Sequence, residues 1–259
     1  MSVAGRRWWP GGPHGLAREM VIEEIWRRHF ERRAEWAISD AQRSGWSADG
    51  LAARVAAFES LLPELASSSP AAVLDLGCGA ATYTTLMADK GHAVTAVDYS
   101  FPMVQRARAS QARARFAVAD GHHAPFKMAA FDLVLCIGVL QFSAKPAVLI
   151  GEAARLVKPG GALLVETLNP LHFVVPAIRL LELSGWRPCS PVLRHSVSEV
   201  EKCLDAAGIE RSSRVAIYVL PTSDGGRASA VRLVTRSLRR VPPLRRFAVS
   251  AIWWAGRKR

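Results

Sequence analysis

Val73-Leu-Asp-Leu-Gly-Cys-Gly79 is the stretch on which the reading of this chain turns. Its first residues form a short apolar run, the pattern of a strand covered on both faces. The two glycines then allow a tight turn, a positive φ and close approach of a ligand to the backbone. Ala80 to Lys90 reads as a helix that stops at Gly91. The N-terminus of a helix placed after such a turn favours negative groups. A Gly-rich turn alone is a weak signal, so its meaning depends on what surrounds it.

Downstream, apolar and helical segments alternate. Strands are predicted over Ala93–Val97, Phe116–Ala119, Phe131–Ile137 and Ala162–Thr167. Helices are predicted over Pro102–Gln111 and Pro146–Val157, the second stopped by Pro159-Gly-Gly161. Strands without clean alternation, separated by helices, indicate a doubly wound α/β fold with a largely parallel sheet. Ligands of such sheets sit at the carboxyl ends of the strands. Upstream, helices are predicted over Leu16–Ile38 and Leu51–Leu65, the latter capped by Asp49. Beyond Asn169 the expectations are a helix over Phe173–Leu183, one from Ser196 or Ser198 through Ala207, a strand over Arg214–Leu220, a basic helix over Arg227–Arg240 and a last strand over Phe247–Trp254.

Two carboxylates give the glycine turn its force. Asp98 ends the second predicted strand, about 20 residues on, where an acidic side chain accepts ribose hydroxyls. Asp120 ends the third, placed to receive an adenine amino group. With these, the chain resembles the class I S-adenosylmethionine-dependent methyltransferases. Val73–Gly79 is similar to their first motif, and Val97-Asp-Tyr-Ser100 with Met103 and Ala107 to the acidic loop after it. Ala119-Asp-Gly121 with Ala124-Pro-Phe126, Phe131–Phe142 and Arg155-Leu-Val-Lys-Pro-Gly-Gly161 resemble the later motifs. The match spans residues 71–169, in order, and is closest to the small-molecule branch that includes ubiquinone- and menaquinone-biosynthesis methyltransferases. One position departs: Ala81 replaces the third glycine of the turn, which leaves binding intact if its φ is negative. A nicotinamide site is the rival, but it needs a glycine where Thr82 stands.

The resemblance implies a Rossmann-like, doubly wound, mostly parallel seven-stranded sheet with N-terminal cap helices, and S-adenosyl-L-methionine as cofactor. It also implies residue roles. Asp75 and the Gly77, Cys78 and Gly79 backbone hold the methionine end. Asp98 binds the ribose, Tyr99 and Met103 pack on the adenine, and Asp120 and Gly121 touch its edge. Ile137 and Gly138 line the path to the methyl group, and Gln141 and Phe142 face the acceptor pocket. For Met103, core packing is the competing reading. A general base is needed only if the acceptor must lose a proton. His172, in the variable region, is the candidate, although packing accounts for any of the seven histidines.

The apolar run from Leu168 through Phe173 to Leu183, with Trp26, Trp36 and Trp46 in the N-terminal helices, points to an apolar lid over a hydrophobic or aromatic small-molecule acceptor. A helix that merely packs on the sheet is the alternative. The net charge is +12 over 259 residues. Residues 210–259 carry twelve Lys/Arg against Glu210 and Asp224, so the basicity belongs to the C-terminal fifth. Two readings stay open for residues 227–259: peripheral contact with an anionic membrane, or a helix docked on the domain with its arginines in water. An RNA methyltransferase would use the same charge, but no appended RNA-binding module is visible and the fourth strand ends Cys-Ile-Gly-Val139, so nucleic acid is disfavoured. A noncatalytic cofactor-binding protein is the third reading.

Cys78, Cys136, Cys189 and Cys203 match no zinc spacing or disulfide framework, so no metal is expected. Arg6, Arg7 and Pro10-Gly-Gly-Pro13 interrupt any secretory pattern, giving a cytoplasmic expectation, peripheral at the membrane if the basic region binds lipid. The predicted organisation is a disordered segment 1–15, cap helices 16–66, and a domain 71–259 that includes a lid segment 169–195 and a basic insertion 221–246.

Overall fold

The computed structural model describes residues 15–66, 70–184, 192–219 and 226–259. Residues 1–14 of the expected disordered segment 1–15, Cys189 and the middle of the lid segment, and residues 221–225 of the basic insertion lie outside the described residues, while Gly15 opens the first helix.

The chain runs α1 (Gly15–Trp36), α2 (Asp40–Ser44), α3 (Ala48–Leu65), β1 (Ala72–Leu76), α4 (Thr82–Asp89), β2 (Ala93–Asp98), α5 (Phe101–Ser110) and β3 (Arg115–Val118). It continues β4 (Phe131–Cys136), a 3-10 turn at Leu140–Phe142, α6 (Pro146–Leu156), β5 (Val157–Leu168), α7 (Val175–Leu183), α8 (Val197–Ala206), β6 (Ile209–Ile217), α9 (Gly226–Arg240), α10 (Arg245–Ala248) and β7 (Ala251–Lys258). The seven strands form one sheet in the order β3-β2-β1-β4-β5-β7-β6. The pairs from β3 to β5 are parallel, and β7 pairs antiparallel with both β5 and β6.

This order explains where a ligand goes. From β1 the chain steps outward through β2 and β3, then returns to place β4 on the other side of β1. The loops after β1 and β4 therefore diverge and leave a crevice at the carboxyl ends. Apolar side chains cover both faces. Leu149, Ile150, Val200 and Leu204 of α6 and α8 pack on one, with Trp254. Phe58, Leu61, Tyr83 and Met87 of α3 and α4 pack on the other, with Trp253.

Several expectations shift. Ser47, not Asp49, caps α3, its hydroxyl accepting from Gly50 N at 3.0 Å. Ser39 and Gln42 close a capping box around α2, which the sequence reading left out. β5 begins at Val157 and runs through Pro159-Gly-Gly161 instead of starting after it. There Lys158 Nζ bonds Asp132 at 2.8 Å, and Asp132 accepts from Ala72 N at 2.8 Å. That segment thus ties the amino ends of β1, β4 and β5 together, away from the crevice. β6 lies five residues earlier than expected at its start, and β7 four residues later. Among the described residues no helix is long and apolar enough to cross a membrane.

Candidate functional site

The turn after β1 is built from its glycines. Gly77 has φ +81 and Gly79 φ +48. Gly77 N and Cys78 N donate to Val97 O at 2.8 and 2.9 Å, folding the turn back on β2. A Cβ on Gly77 would stand 2.5 Å from Val139 Cγ2, so the loops after β1 and β4 touch only because Gly77 has no side chain. A Cβ on Gly79 would meet nothing within 4 Å, so this glycine leaves an open cradle. Ala81 has φ +62. The sequence expectation required a negative φ there; the backbone instead keeps the left-handed turn, and the methyl group bears the strain.

A cavity of about 510 Å³ opens above this turn, bounded by the ends of β1, β2 and β4 below and by α1 to α3 above. Gly77, Cys78 and Gly79 are on its wall, with Asp98, Tyr99, Asp120, Gly121, Ile137, Gly138 and Phe142. Five of the candidates are elsewhere. Asp75 is buried beneath the turn, where its Oδ2 accepts from Thr84 N at 3.1 Å and Thr84 Oγ1 at 2.6 Å, anchoring α4. Burial pushes its carboxyl up to about 6, against the opposing Thr84 bonds. Met103 is buried in α5, off the wall. Gln141 is buried behind Phe142 in the 3-10 turn, and its carbonyl accepts from Leu193 N at 2.9 Å. His172 and Phe173 stack on each other near the start of β7, away from the cavity.

His172 is thus a corrected expectation. Its Nε2 lies 3.3 Å from Ser250 Oγ. Burial, helped by the charge of Arg194, pushes it down to about 4, so it is neutral at pH 7 but touches nothing in the cavity. The lid is corrected too. None of the described residues of 169–195 lines the cavity. The roof comes from Glu23, Arg27 and Phe30 of α1, from Ser44 and Trp46, and from Leu51 of α3. Trp26 and Phe30 clasp Phe142, at 4.4 and 5.1 Å between ring centroids. Arg106 of α5 holds the end of α1 by the carbonyls of Glu35 and Ala37, at 2.8 and 2.9 Å. Tyr83, Val139 and Ser143 are wall residues that the sequence reading missed. The aromatic pair in α1 was the readable signal for its docking, but nothing local said against what.

Both wall carboxylates brace turns. Asp98 accepts from Gly79 N and Ser100 N, each at 2.9 Å, coupling the glycine turn to the end of β2. Burial raises its pKa, and the backbone bonds oppose that rise. Asp120 accepts from His122 N at 2.9 Å and pairs with His122 Nδ1 at 2.8 Å, which holds its carboxyl below the usual range. His122 Nε2 lies 2.7 Å from Ser143 Oγ. Burial opposes the charged imidazole, but the bond and charge of Asp120 outweigh it and raise His122. Cys78 is held well above its usual pKa by burial and then by Asp98 and Asp75, so its thiol is neutral and not a nucleophile. Among the described residues no group of three His, Cys, Asp or Glu is placed to hold a metal.

This geometry has known counterparts. Residues 74–165 match the methyltransferase domain family. That segment is similar to a methyltransferase domain. The domain and its surroundings are 34% identical over 139 residues to a malonyl-[acyl-carrier protein] O-methyltransferase of Pseudescherichia vulneris, covering 54% of this chain and 51% of that protein. They are 33% identical over 144 residues to a ubiquinone biosynthesis O-methyltransferase of Xanthomonas oryzae pv. oryzae, covering 51% of this chain and 60% of that one. The chain therefore spans just over half the length of these curated relatives. In fold, the chain resembles magnesium protoporphyrin IX methyltransferase from Synechocystis PCC 6803, at a TM-score of 0.64 and 16% identity, over 92% of this chain and all of that one. The seven-stranded sheet shares the fold of that solved methyltransferase.

Proposed function

We propose that this protein transfers a methyl group from S-adenosyl-L-methionine to an oxygen or carbon of a hydrophobic small-molecule acceptor. The observation that carries the reading is the convergence of the open Gly79 cradle, Asp98, Tyr99, Asp120 and Gly138 on one cavity at the topological switch point. The residues fit the donor. Asp98 faces the cavity from the end of β2, where a ribose is held, and Tyr99 with Asp120 and Gly121 offers an apolar face and a polar edge to an adenine. When bound, the donor supplies a methyl group already activated by positive sulfur.

What remains for the chain is to bind, orient and exclude water. Alignment of a nucleophile about 3 Å from the methyl carbon supplies much of the rate. Phe30, Trp46, Leu51, Val139 and Phe142 line the rest of the cavity, which supports an apolar or aromatic acceptor. The names of the relatives, O-methyltransferases of small or carrier-borne substrates, support the same class. In this reading residues 16–66 are the cap and 71–259 the catalytic domain. Calorimetry with S-adenosylmethionine tests the donor: wild type binds, and Asp98→Ala weakens binding at least tenfold. Absence of heat with wild type sinks the assignment. Labelled-methyl transfer into fractionated cell extract separates an enzyme from a noncatalytic binder, and label in RNA would favour the nucleic-acid reading.

A second surface supports peripheral contact of the α9 part of residues 227–259 with an anionic membrane; Ala251–Lys258 is excluded from it, since it forms β7 between β5 and β6 with Trp253 and Trp254 buried. Thr235 of α9 is buried against the domain, which turns Leu233 and Val234 outward beside Arg236 and Arg240. Leu233 is 67% exposed, and Val241 and Leu244, which follow α9, are exposed as well. Apolar residues flanked by arginines suit a headgroup boundary better than bulk water. Flotation with phosphatidylglycerol vesicles is the test: the protein rises with them, and Leu233→Ser with Arg236→Ser stays behind. No flotation of wild type at low salt removes the reading.

A further inference from the structure

One side chain on the cavity wall joins three segments that are far apart in sequence. His122, in the loop after β3, pairs through Nδ1 with Asp120 Oδ1 at 2.8 Å and through Nε2 with Ser143 Oγ at 2.7 Å. The same Nε2 stands 3.7 Å from Glu23 Oε1 of α1. All four residues are on the wall, Glu23 in the roof and the other three on the side of the sheet. Elsewhere α1 is held by Arg106 near its carboxyl end and by the Trp26 and Phe30 rings on Phe142. Glu23 lies one helical turn before Trp26, so this contact extends the hold towards the amino end of α1.

The bonds fix where the protons sit. Asp120 is a carboxylate, held ionised by its bond from His122, so Nδ1 carries a hydrogen and donates to it. In the neutral ring Nε2 then has a lone pair, which accepts from the Ser143 hydroxyl, while Ser143 Oγ accepts from Lys145 N at 3.1 Å. A second proton goes to Nε2, the nitrogen that faces Glu23. The ring then donates to Ser143 Oγ and brings a positive charge to the roof carboxylate. The surrounding charges decide the balance. Burial opposes the imidazolium; the bond and charge of Asp120 and then the charge of Glu23 favour it and prevail, against Lys145 from the segment after the 3-10 turn. Exposed His123 flanks Asp120, and Arg27, the wall cation one turn on in α1, is engaged by Glu24 at 2.7 Å.

We propose that His122 is a positioning residue for the methyl donor: as an imidazolium it joins Asp120 on the floor to Glu23 in the roof and draws α1 down over the bound ligand. This rests on the donor reading above. The tie is whole while the ring is charged and is lost as pH rises through its raised pKa. Donor affinity therefore falls with rising pH, although no group of the donor itself is contacted by Glu23 in this account.

Calorimetry with S-adenosylhomocysteine on the full chain, at pH 6 and pH 8.5, is the test. Wild-type affinity should fall about threefold over that interval, the size of a partly exposed ion pair. Glu23→Gln keeps the length of the side chain but not its charge, and should bind at both pH values as wild type does at pH 8.5. His122→Gln should show no slope either. Asp75 also titrates, at about 6, in all three proteins. A slope that survives in His122→Gln belongs to such a group and overturns the inference, as does a wild type with no slope. The ring resonances of His122 give a second readout. Their titration midpoint should fall in Glu23→Gln and rise when S-adenosylhomocysteine is added; a midpoint indifferent to both overturns it too. If wild type binds no S-adenosylhomocysteine at either pH, the donor reading falls and this inference with it. If it binds without the slope, only the tie is wrong.

Discussion

Replacing Arg54 by methionine should be among the most damaging single changes on the cap. Arg54 and Glu166 are 112 residues apart, their side chains are 2% and 0% exposed, and Nε meets Oε1 at 2.7 Å. Methionine keeps the stem and the helix propensity of α3 but removes the guanidinium. Glu166 then has no partner for either oxygen. Removing one member of a buried pair costs about 3–5 kcal/mol, because the other charge is left uncompensated. The stack on Trp46 adds to the loss. For a chain of this size each kcal/mol lowers the melting temperature by about 2–4 °C, so a fall of roughly 6–20 °C is expected. The informative partner is the double variant Arg54→Met/Glu166→Leu. With no charge left to strand, it should recover most of the loss, since apolar replacement of a whole buried pair is often neutral. Urea unfolding followed by tryptophan fluorescence, with all four members of the cycle, measures this. The reasoning fails if Arg54→Met costs less than about 1 kcal/mol, or if the double variant is no more stable than the single.

Three further outcomes are expected. Asp75→Asn keeps an oxygen for Thr84 N and Oγ1 but cannot ionise. Because the folded carboxyl is raised from 3.8 to about 6, its favourable contribution is full below pH 3.8 and lost as pH rises through 6. The variant should therefore exceed wild type in stability by up to about 3 kcal/mol at pH 8, and the gap should close towards pH 4 in paired thermal melts. Gly77→Ala meets Val139 Cγ2 and a φ of +81 at once, so a loss of about 2–5 kcal/mol is expected. Adding Val139→Ala should restore the steric part but not the backbone part, and a double variant no better than the single would rule out the clash. His172→Gln should leave methyl transfer within twofold across pH 5–9, since the ring lies off the cavity; a lost limb in the pH profile would return it to the reaction.

Much of the sheet and the cavity floor was readable in order. Glycines that must hold positive φ and carboxylates at strand ends are local statements, and the stretch from Val73 to Asp120 made them within 50 residues. The errors have local causes as well. Phe247, Ala248 and Val249 looked like a strand start, but they sit at and just beyond a helical turn, and β7 continues into Arg257 and Lys258 because it lies between β5 and β6. β6 is an edge strand with an exposed polar start, so Glu210-Arg-Ser-Ser213 was left outside the strand predicted over Arg214–Leu220. The five-residue α2 was missed although its capping box was spelled out by Ser39 and Gln42. The roof was legible only as helices. Which residues of α1 face the ligand, and that Arg54 finds Glu166, are long-range facts with no local sign.

The aromatic clasp of Trp26 and Phe30 on Phe142 has a kinetic meaning. If the proposed ligands leave the cavity by the lifting of α1, the strength of that clasp would set their exchange rate and leave the chemical barrier alone. A clasp that is too strong would make discharge of the spent donor the slow event of each cycle. One that is too weak would admit water to a site whose advantage is dryness. Evolution can then adjust throughput by repacking three rings, without touching a group that meets the reactants' bonds.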